Sequence, residues 1–361
     1  MISDLNNSLQ TALKVISWNI TLRCPLKCPH CYSDSGKQDA PDILSLYEAR
    51  DVLDQIREVG RPVVILSGGE PLMHEGILDI ARYGTDIGLK MALGTSGVLI
   101  DEKVLTDLID SGISGIAISL DSADPDIHDK IRGLKGAWNK AVQAIKFSIA
   151  KYMNVQINMT IFSPEKSVID GVVAFGKSLG VRNYQIFIPV PTGRCRQEHY
   201  AIFSEYEKLV KEVLVSYPGN DLSLRPTCFP QFRRIADEAG INNPTWGRGC
   251  IAGISYCRIY ANGDVTPCPY LPVIAGNLRN IRLKDLWTSS EVFTALRDPG
   301  LLKGKCGICP YNQVCGGCRA RAFSVTTAVQ HSCGVLVRPH DITGELCGED
   351  PLCTYNPGKS E

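Results

Sequence analysis

Apolar residues follow two rhythms along the first half of this chain. Short apolar runs of the kind that fill buried parallel strands stand at Val15–Ile20, Val63–Leu66, Lys90–Leu93, Gly115–Leu120, Val155–Ile161 and Tyr184–Ile188. Between them, apolar positions recur at helical spacing. The clearest helix begins at Ser45, where Glu48 completes a capping box, and stops at Gly60. Another runs from Asp101, with Val104, Leu105, Leu108 and Ile109 on one face, and ends near Gly112. Six strands alternating with helices predict an α/β fold whose parallel sheet curves as a partial (β/α)6 TIM-like barrel. In such sheets function gathers at the carboxyl ends of the strands.

The rhythm fades in the second half. The pattern predicts three units: a barrel over residues 1–200, a helical bridge over 201–245, and a small domain over 246–361 rich in Gly, Cys and Pro, organised by metal rather than by a large core. Ser324–Gly348 is polar and poorly periodic and reads as an irregular insertion.

Composition narrows the function. The chain has 361 residues, 44% hydrophobic and 21% charged, with a formal net charge of zero. No basic footprint marks a nucleic-acid binder. The amino terminus lacks the basic and apolar segments of a signal peptide, and no run is long enough to span a membrane. The expectation is a cytoplasmic protein with neither nucleic acid nor membrane as a partner. In a reducing compartment, clustered cysteines bind metal more often than they form disulfides. The 15 cysteines are indeed clustered: three lie within Cys24–Cys31, one is Cys195, and eleven fall between Cys228 and Cys353.

The first predicted strand runs into a loop carrying Cys24, Cys28 and Cys31, spaced C-x3-C-x2-C. Three thiolates on one compact loop can hold three irons of a 4Fe–4S cluster and leave the fourth open to a chelating substrate. The competing reading is zinc, with His30 as fourth ligand, or three buried thiols. Ser67–Leu72, SGGEPL, follows the second strand; Thr95-Ser96-Gly97 follows the third and Ser119-Leu120-Asp121 the fourth. This set, together with Tyr32 after the triad, resembles the radical S-adenosylmethionine (SAM) family. The resemblance implies an enzyme that reductively cleaves SAM to a 5′-deoxyadenosyl radical. It places Gly68, Gly69 and Glu70 at the amino group of SAM, Ser96, Ser119 and Asp121 at its carboxylate or ribose, and Tyr32 near the adenine. Taken singly, Ser96, Ser119 and Asp121 read equally well as helix caps, and Tyr32 as core. The resemblance also implies a low-potential electron donor such as ferredoxin or flavodoxin.

The rear cysteines resemble a SPASM domain, which carries one or two auxiliary 4Fe–4S clusters. Cys250 is followed by twelve residues, Gly263, four residues and Cys268; then come Cys306-x2-Cys309-x5-Cys315-x2-Cys318 and finally Cys353. A zinc ribbon is the alternative reading of such pairs. The last x2 spacing departs from the family's x3. Carried over residue by residue, Cys306, Cys309, Cys315 and Cys353 hold one cluster and Cys250, Cys257, Cys268 and Cys318 the other. Cys195, Cys228, Cys333 and Cys347 are left over, with Cys228 the best candidate for a function among them.

Several phrases are more specific still: VPTGR (190–194), LRPTCFPQF (224–232), RGCIAGISYC (248–257), GDVTPCPYLPV (263–273), CGGCRARA (315–322) and EDPLC (349–353). They resemble radical-SAM enzymes of the alternative heme and heme d1 pathways, which remodel the side chains of siroheme-derived tetrapyrroles. One branch removes acetates, another converts propionates to vinyls, and a third replaces propionates with oxo groups; the sequence does not separate them. Arg194, Arg225, Arg233, Arg234, Arg319 and Arg321 lie in or beside these phrases and suit a substrate bearing several carboxylates, although each also reads as a solvated or structural arginine. Two alternatives remain. One is a SPASM-type maturase of a ribosomally made peptide, disfavoured because the triad begins at residue 24 and leaves no room before it for a peptide-binding domain. The other is an iron–sulfur electron carrier, which does not explain the motifs at the strand ends.

Overall fold

The computed structural model describes residues 12–195, 203–219, 221–244, 246–326 and 346–358. Six parallel strands appear where the apolar runs predict them: β1 (Val15–Asn19), β2 (Val63–Ser67), β3 (Lys90–Thr95), β4 (Ile113–Ser119), β5 (Asn154–Thr160) and β6 (Asn183–Phe187). They lie side by side in chain order. Helices cross between them as the periodicity requires. In α1 (Leu46–Val59), the Ser45 hydroxyl accepts from the Glu48 amide while the Glu48 carboxylate accepts from the Ser45 amide, closing the expected box. In α2 (Glu102–Asp110), Asp101 caps the first turn, and Leu105 and Leu108 are fully buried against the sheet.

The sheet is larger than the six-strand pattern. The segment expected to be a helical bridge contributes β7 (Ser223–Thr227), parallel to β6. Pro226 disguises it in the sequence, because proline cannot donate to a ladder. The position tolerates proline because β7 is the terminal strand of the order. On the other side, β8 (Tyr256–Ile259) pairs parallel with β1, so the free edge of β1 is covered. β9 (Asp264–Thr266) and β10 (Gly276–Asn277) follow antiparallel and complete ten strands. The cysteine-rich segment thus begins inside the barrel sheet.

Besides a small cluster under the triad loop, two apolar clusters form among the described residues. The larger fills the space between the sheet and its helices. The smaller packs Val190, Leu271, Val273, Phe323 and Leu346 around Cys318 and Cys347. Helix α3 (Arg319–Thr326) extends to the edge of the insertion; Cys333 lies outside the described residues.

Candidate iron–sulfur and S-adenosylmethionine site

The triad loop leaves β1 and is gripped by backbone from three directions. The Cys24 amide donates to the Gly36 carbonyl at 2.7 Å, the Gly69 amide to Thr21 at 2.8 Å and the Glu70 amide to Arg23 at 2.7 Å. A Cβ on Gly68 or Gly69 would strike the carbonyls of Thr21 or Arg23, so the two glycines lie flat on the loop. From the far end of the barrel, the Arg194 amide donates to Cys31 at 2.9 Å and its guanidinium to Cys28 at 3.0 Å and Ser35 at 2.7 Å. Gly193, at φ +60°, passes so close to Cys31 and Tyr32 that no side chain fits there.

Cys24, Cys28 and Cys31 share one apolar pocket with Leu26, Val98 and Ala137. Burial pushes the Cys24 thiol up to about 12, and Glu70, Cys28 and Cys31 add to that shift. Three thiols crowded on one loop form a donor set that, as thiolates, would suit an iron cluster. His30 lies edge-on to Phe162 at 5.2 Å, and burial lowers its imidazole to about 3. The charges beside it are Arg132, Asp121, Arg194 and His128. Among the described residues, no three His, Cys, Asp or Glu side chains close on one point as a single metal ion requires.

Glu70 is completely buried. One oxygen accepts from the Thr95 hydroxyl at 2.7 Å; the other accepts from the Ser96 amide at 3.0 Å and hydroxyl at 2.5 Å. Burial raises its pKa, and these hydrogen bonds oppose the rise. Glu70 and Ser96 therefore form one rigid unit joining the ends of β2 and β3. Asp121, also buried, receives the Arg132 guanidinium side-on, at 2.5 and 2.7 Å, and the Thr160 amide at 3.0 Å. Its amide donates to Nδ1 of His128 at 3.1 Å. Arg132 reaches the Cys28 sulfur at 3.9 Å. Burial works to raise the Asp121 carboxyl, yet the Arg132 charge holds it below the usual range. The sequence reading missed Arg132, whose signal was the DKIRG segment just after Ser119-Leu120-Asp121. Ser119 ends β4, in register with Asn158.

Tyr32 leans against Tyr270 at 5.4 Å, and Arg258 lies over the Tyr32 and Tyr260 rings at 4.5 and 4.0 Å. Arg258 has no exposed surface, and among the described residues its Nε and Nη2 have no hydrogen-bond partner. It too went unnoticed in the sequence, because nothing in YCRIY distinguishes it from an exposed strand arginine.

In the rear, Cys306, Cys309, Cys315 and Cys353 line one small pocket. Of its sulfurs, that of Cys306 faces fixed donors: the Asp350 amide at 3.4 Å and the Arg319 guanidinium at 3.6 Å. Such contacts stabilise the thiolate form and tune a bound cluster. Cys250 and Cys315 are joined through backbone at 3.1 Å. Cys257 sits elsewhere, fully buried in the barrel core opposite Ile16.

Most of the arginines noted for substrate carboxylates have protein partners. Arg234 pairs with Glu207 and Glu238, Arg321 with Asp350, and Arg319 with the carbonyls of Leu346 and Gly348. Arg194 holds the triad loop, and Arg225 donates to the Arg248 carbonyl. The Nε of Arg233 has no hydrogen-bond partner among the described residues.

Known proteins resemble this chain in sequence and in fold. A Radical SAM superfamily model matches residues 18–166, and an iron–sulfur cluster-binding SPASM model matches residues 250–319. An AdoMet-dependent heme synthase of Methanosarcina barkeri is 35% identical over 98% of this chain and 99% of its own length. A pre-heme d1 synthase of Dinoroseobacter shibae is 27% identical over 95% of this chain and 86% of its own. Among solved structures, Streptococcus suis SuiB bound to its precursor peptide SuiA superposes with a TM-score of 0.74 at 18% identity, covering 98% of this chain and 79% of that one.

Proposed function

We propose that this protein, which belongs to the radical SAM family and carries a SPASM domain, modifies the carboxylate side chains of a siroheme-derived iron tetrapyrrole, converting propionates to vinyls. The observation that carries this reading is the end-to-end 35% identity with an AdoMet-dependent heme synthase. The family's cofactors are 4Fe–4S clusters and S-adenosylmethionine, which together supply a 5′-deoxyadenosyl radical able to take hydrogen from an unreactive carbon.

The chain's own residues do the rest. Cys24, Cys28 and Cys31 would hold the cluster, and Arg132 steadies the buried thiolate of Cys28. Gly68, Gly69, Glu70 and Ser96 form the unit against which the methionine end of SAM rests, while Ser119 and Asp121, the latter acting through Arg132, close the adjoining strand ends. Tyr32 provides a ring face for the adenine. Arg233, half-buried and with its Nε unpartnered among the described residues, would offer a donor to a substrate carboxylate. Arg225 lies close enough to Arg233 that burial and the neighbouring charge together lower its pKa, and an anion would relieve both. Each propionate that becomes a vinyl gives up one hydrogen atom, one electron and carbon dioxide, so an electron must leave the site. A low-potential ferredoxin or flavodoxin would reduce the front cluster. We also keep the unit boundaries near residues 200 and 245 as part of this reading.

The test is anaerobic incubation of reconstituted protein with SAM, dithionite and candidate siroheme-derived pigments, followed by mass spectrometry. The expected result is 5′-deoxyadenosine together with a pigment lighter by carbon dioxide and two hydrogens per reacted propionate (one atom plus one proton and electron). The fold likeness to a structure bound to a precursor peptide keeps a second reading, peptide maturation. It wins if no pigment binds or stimulates SAM cleavage while a short Cys-containing peptide does.

A further inference from the structure

The inner face of the barrel is built differently from the outer one. On β3 and β4, the residues that face the helices, among them Leu93 and Ile118, are buried and apolar. The alternate residues point the other way. They are Ala92, Gly94, Gly115 and Ala117, small and only half-buried. A filled barrel packs branched apolar side chains at such positions. Here that side of the interior is left open.

Farther round the sheet the same face turns polar. Ser119 on β4 pairs in register with Asn158 on β5, Asn158 with Gln185 on β6, and Gln185 with Arg225 on β7. The neighbouring Ile118, Ile157, Ile186 and Leu224 all enter the core behind the sheet, so the four polar side chains stand on the inner face. Each of the four is half-buried. They form one row that begins at Ser119, which would stand beside SAM, and ends on a guanidinium. With strands about 4.8 Å apart, the row measures about 14 Å along the sheet.

Arg225 is held in place but not neutralised. Its Nη2 donates to the Arg248 carbonyl at 3.2 Å, and its guanidinium lies 5.8 Å from the centre of the Phe232 ring. Among the described residues, its Nε and Nη1 have no hydrogen-bond partner and no carboxylate pairs with its charge. Arg132, Arg234 and Arg321, by contrast, each face a carboxylate. Asn158 accepts from Gln156 at 2.7 Å, whereas the Gln185 side chain makes no hydrogen bond among the described residues. A fixed, uncompensated guanidinium beside a free amide suits a carboxylate in both charge and shape.

We propose that Arg225, with Gln185 beside it, grips a substrate carboxylate that does not react, and that the row from Arg225 to Ser119 selects which other carboxylate arm meets the radical. This rests on the reading that the substrate is a tetrapyrrole with several carboxylate arms. It concerns binding alone, and no bond in the anchored arm changes. A rigid macrocycle held by one arm in this way presents one particular arm to the SAM end of the row.

The probe is an iron porphyrin carrying four propionates, compared with its tetramethyl ester on full-length protein reconstituted anaerobically. Unmutated protein should bind the acid about 10- to 100-fold more tightly, since the ester cannot accept charged hydrogen bonds. Arg225→Gln should weaken acid binding by about that factor and leave ester binding unchanged. Arg225→Lys keeps the charge but loses the planar fork, and should fall between. Gln185→Leu should weaken acid binding by a smaller factor. The decisive readout is the product that has lost one propionate. Unmutated protein should give a single isomer and Arg225→Gln a mixture, whereas a merely structural arginine would lower the yield without mixing isomers. Equal binding of acid and ester by unmutated protein overturns the proposal, as does a single isomer from Arg225→Gln. If Arg225→Gln loses its iron and so has not folded, unchanged acid affinity in Gln185→Leu overturns it instead. Turnover of the acid without these differences removes the role of Arg225 and keeps the tetrapyrrole reading. An acid pigment that neither binds nor stimulates SAM cleavage removes both.

Discussion

The front and rear cysteine sets are held by opposite strategies. The front triad lies within eight consecutive residues, and neighbouring loops press on it mainly with backbone, through Gly68, Gly69 and Gly193, with the Arg194 guanidinium as a side-chain clasp. The rear cysteines come from segments scattered between residues 228 and 353, and the buried Arg321–Asp350 pair draws several of those segments together. A local site of this kind needs close approach, which glycine supplies. A dispersed site needs a strong, directional tie, and a desolvated ion pair with every oxygen hydrogen-bonded provides one. The front has its own buried pair, Arg132–Asp121, but there it supports one ligand rather than assembling several.

The largest expected effect separates the two sites outright. Changing Cys24, Cys28 and Cys31 together to Ala should abolish 5′-deoxyadenosine formation while rear iron stays bound. Iron content falling to zero in this variant would show that the sites are not independent.

Removing one partner of each buried pair should sort the two regions. Asp350→Asn leaves Arg321 charged and uncompensated, at a cost of about 3–5 kcal/mol. Rear iron should be lost first, with SAM binding outlasting it. Asp121→Asn should cost a similar amount but disturb SAM binding before rear iron. Urea titration followed by iron analysis checks the order, and identical behaviour in the two variants would erase the distinction.

Glu70→Gln sharpens the description of the front site. The carboxylate accepts from Thr95 and Ser96, so the amide loses a charge-assisted acceptor and turns a donor toward a donor. SAM affinity should weaken by about 1.5–3 kcal/mol, the range for hydrogen bonds to charged groups. Equilibrium binding with unchanged affinity would remove Glu70 from the SAM site.

The smallest effect is a difference in acid response. Burial lowers the His128 imidazole to about 4, against the pull of Asp121. A histidine depressed in the fold contributes stability that is complete above its unfolded pKa near 6.5 and is lost as pH falls toward 4, at most about 2–3 kcal/mol. Protonation also ends the bond that Nδ1 accepts from the Asp121 amide. The described rear residues contain no histidine. Burial tends to raise Asp350, but Arg321 holds it at about 2, so its contribution is present above about 3.8 and fades only between there and about 2. Hydrogen exchange on cluster-free protein should therefore show protection around β4 declining between about pH 6.5 and 4 while protection around Cys318 persists. His128→Gln should flatten the front profile.

The sequence alone determined whatever is periodic or contiguous. Apolar alternation located six parallel strands to within one or two residues, and the box at Ser45 and Glu48 placed its helix. The triad spacing and the motifs after β2, β3 and β4 are legible because each occupies one loop on one rim. Tertiary structure decided what comes together from afar. β7 was hidden by Pro226, and only its place at the sheet's edge makes that proline harmless. Because that strand was unseen, the place of Arg225 at the end of the inner polar row was unseen as well. Resemblance alone placed Cys257 among the ligands, yet in β8 it pairs with Ile16 and is buried in the barrel core. Nothing in the sequence marks Arg258; the docking of β8 beside β1 encloses it among tyrosines. Chain spacing fixes which thiols share a loop. Which thiols share a cluster depends on register and burial, and those exist only once the sheet has closed.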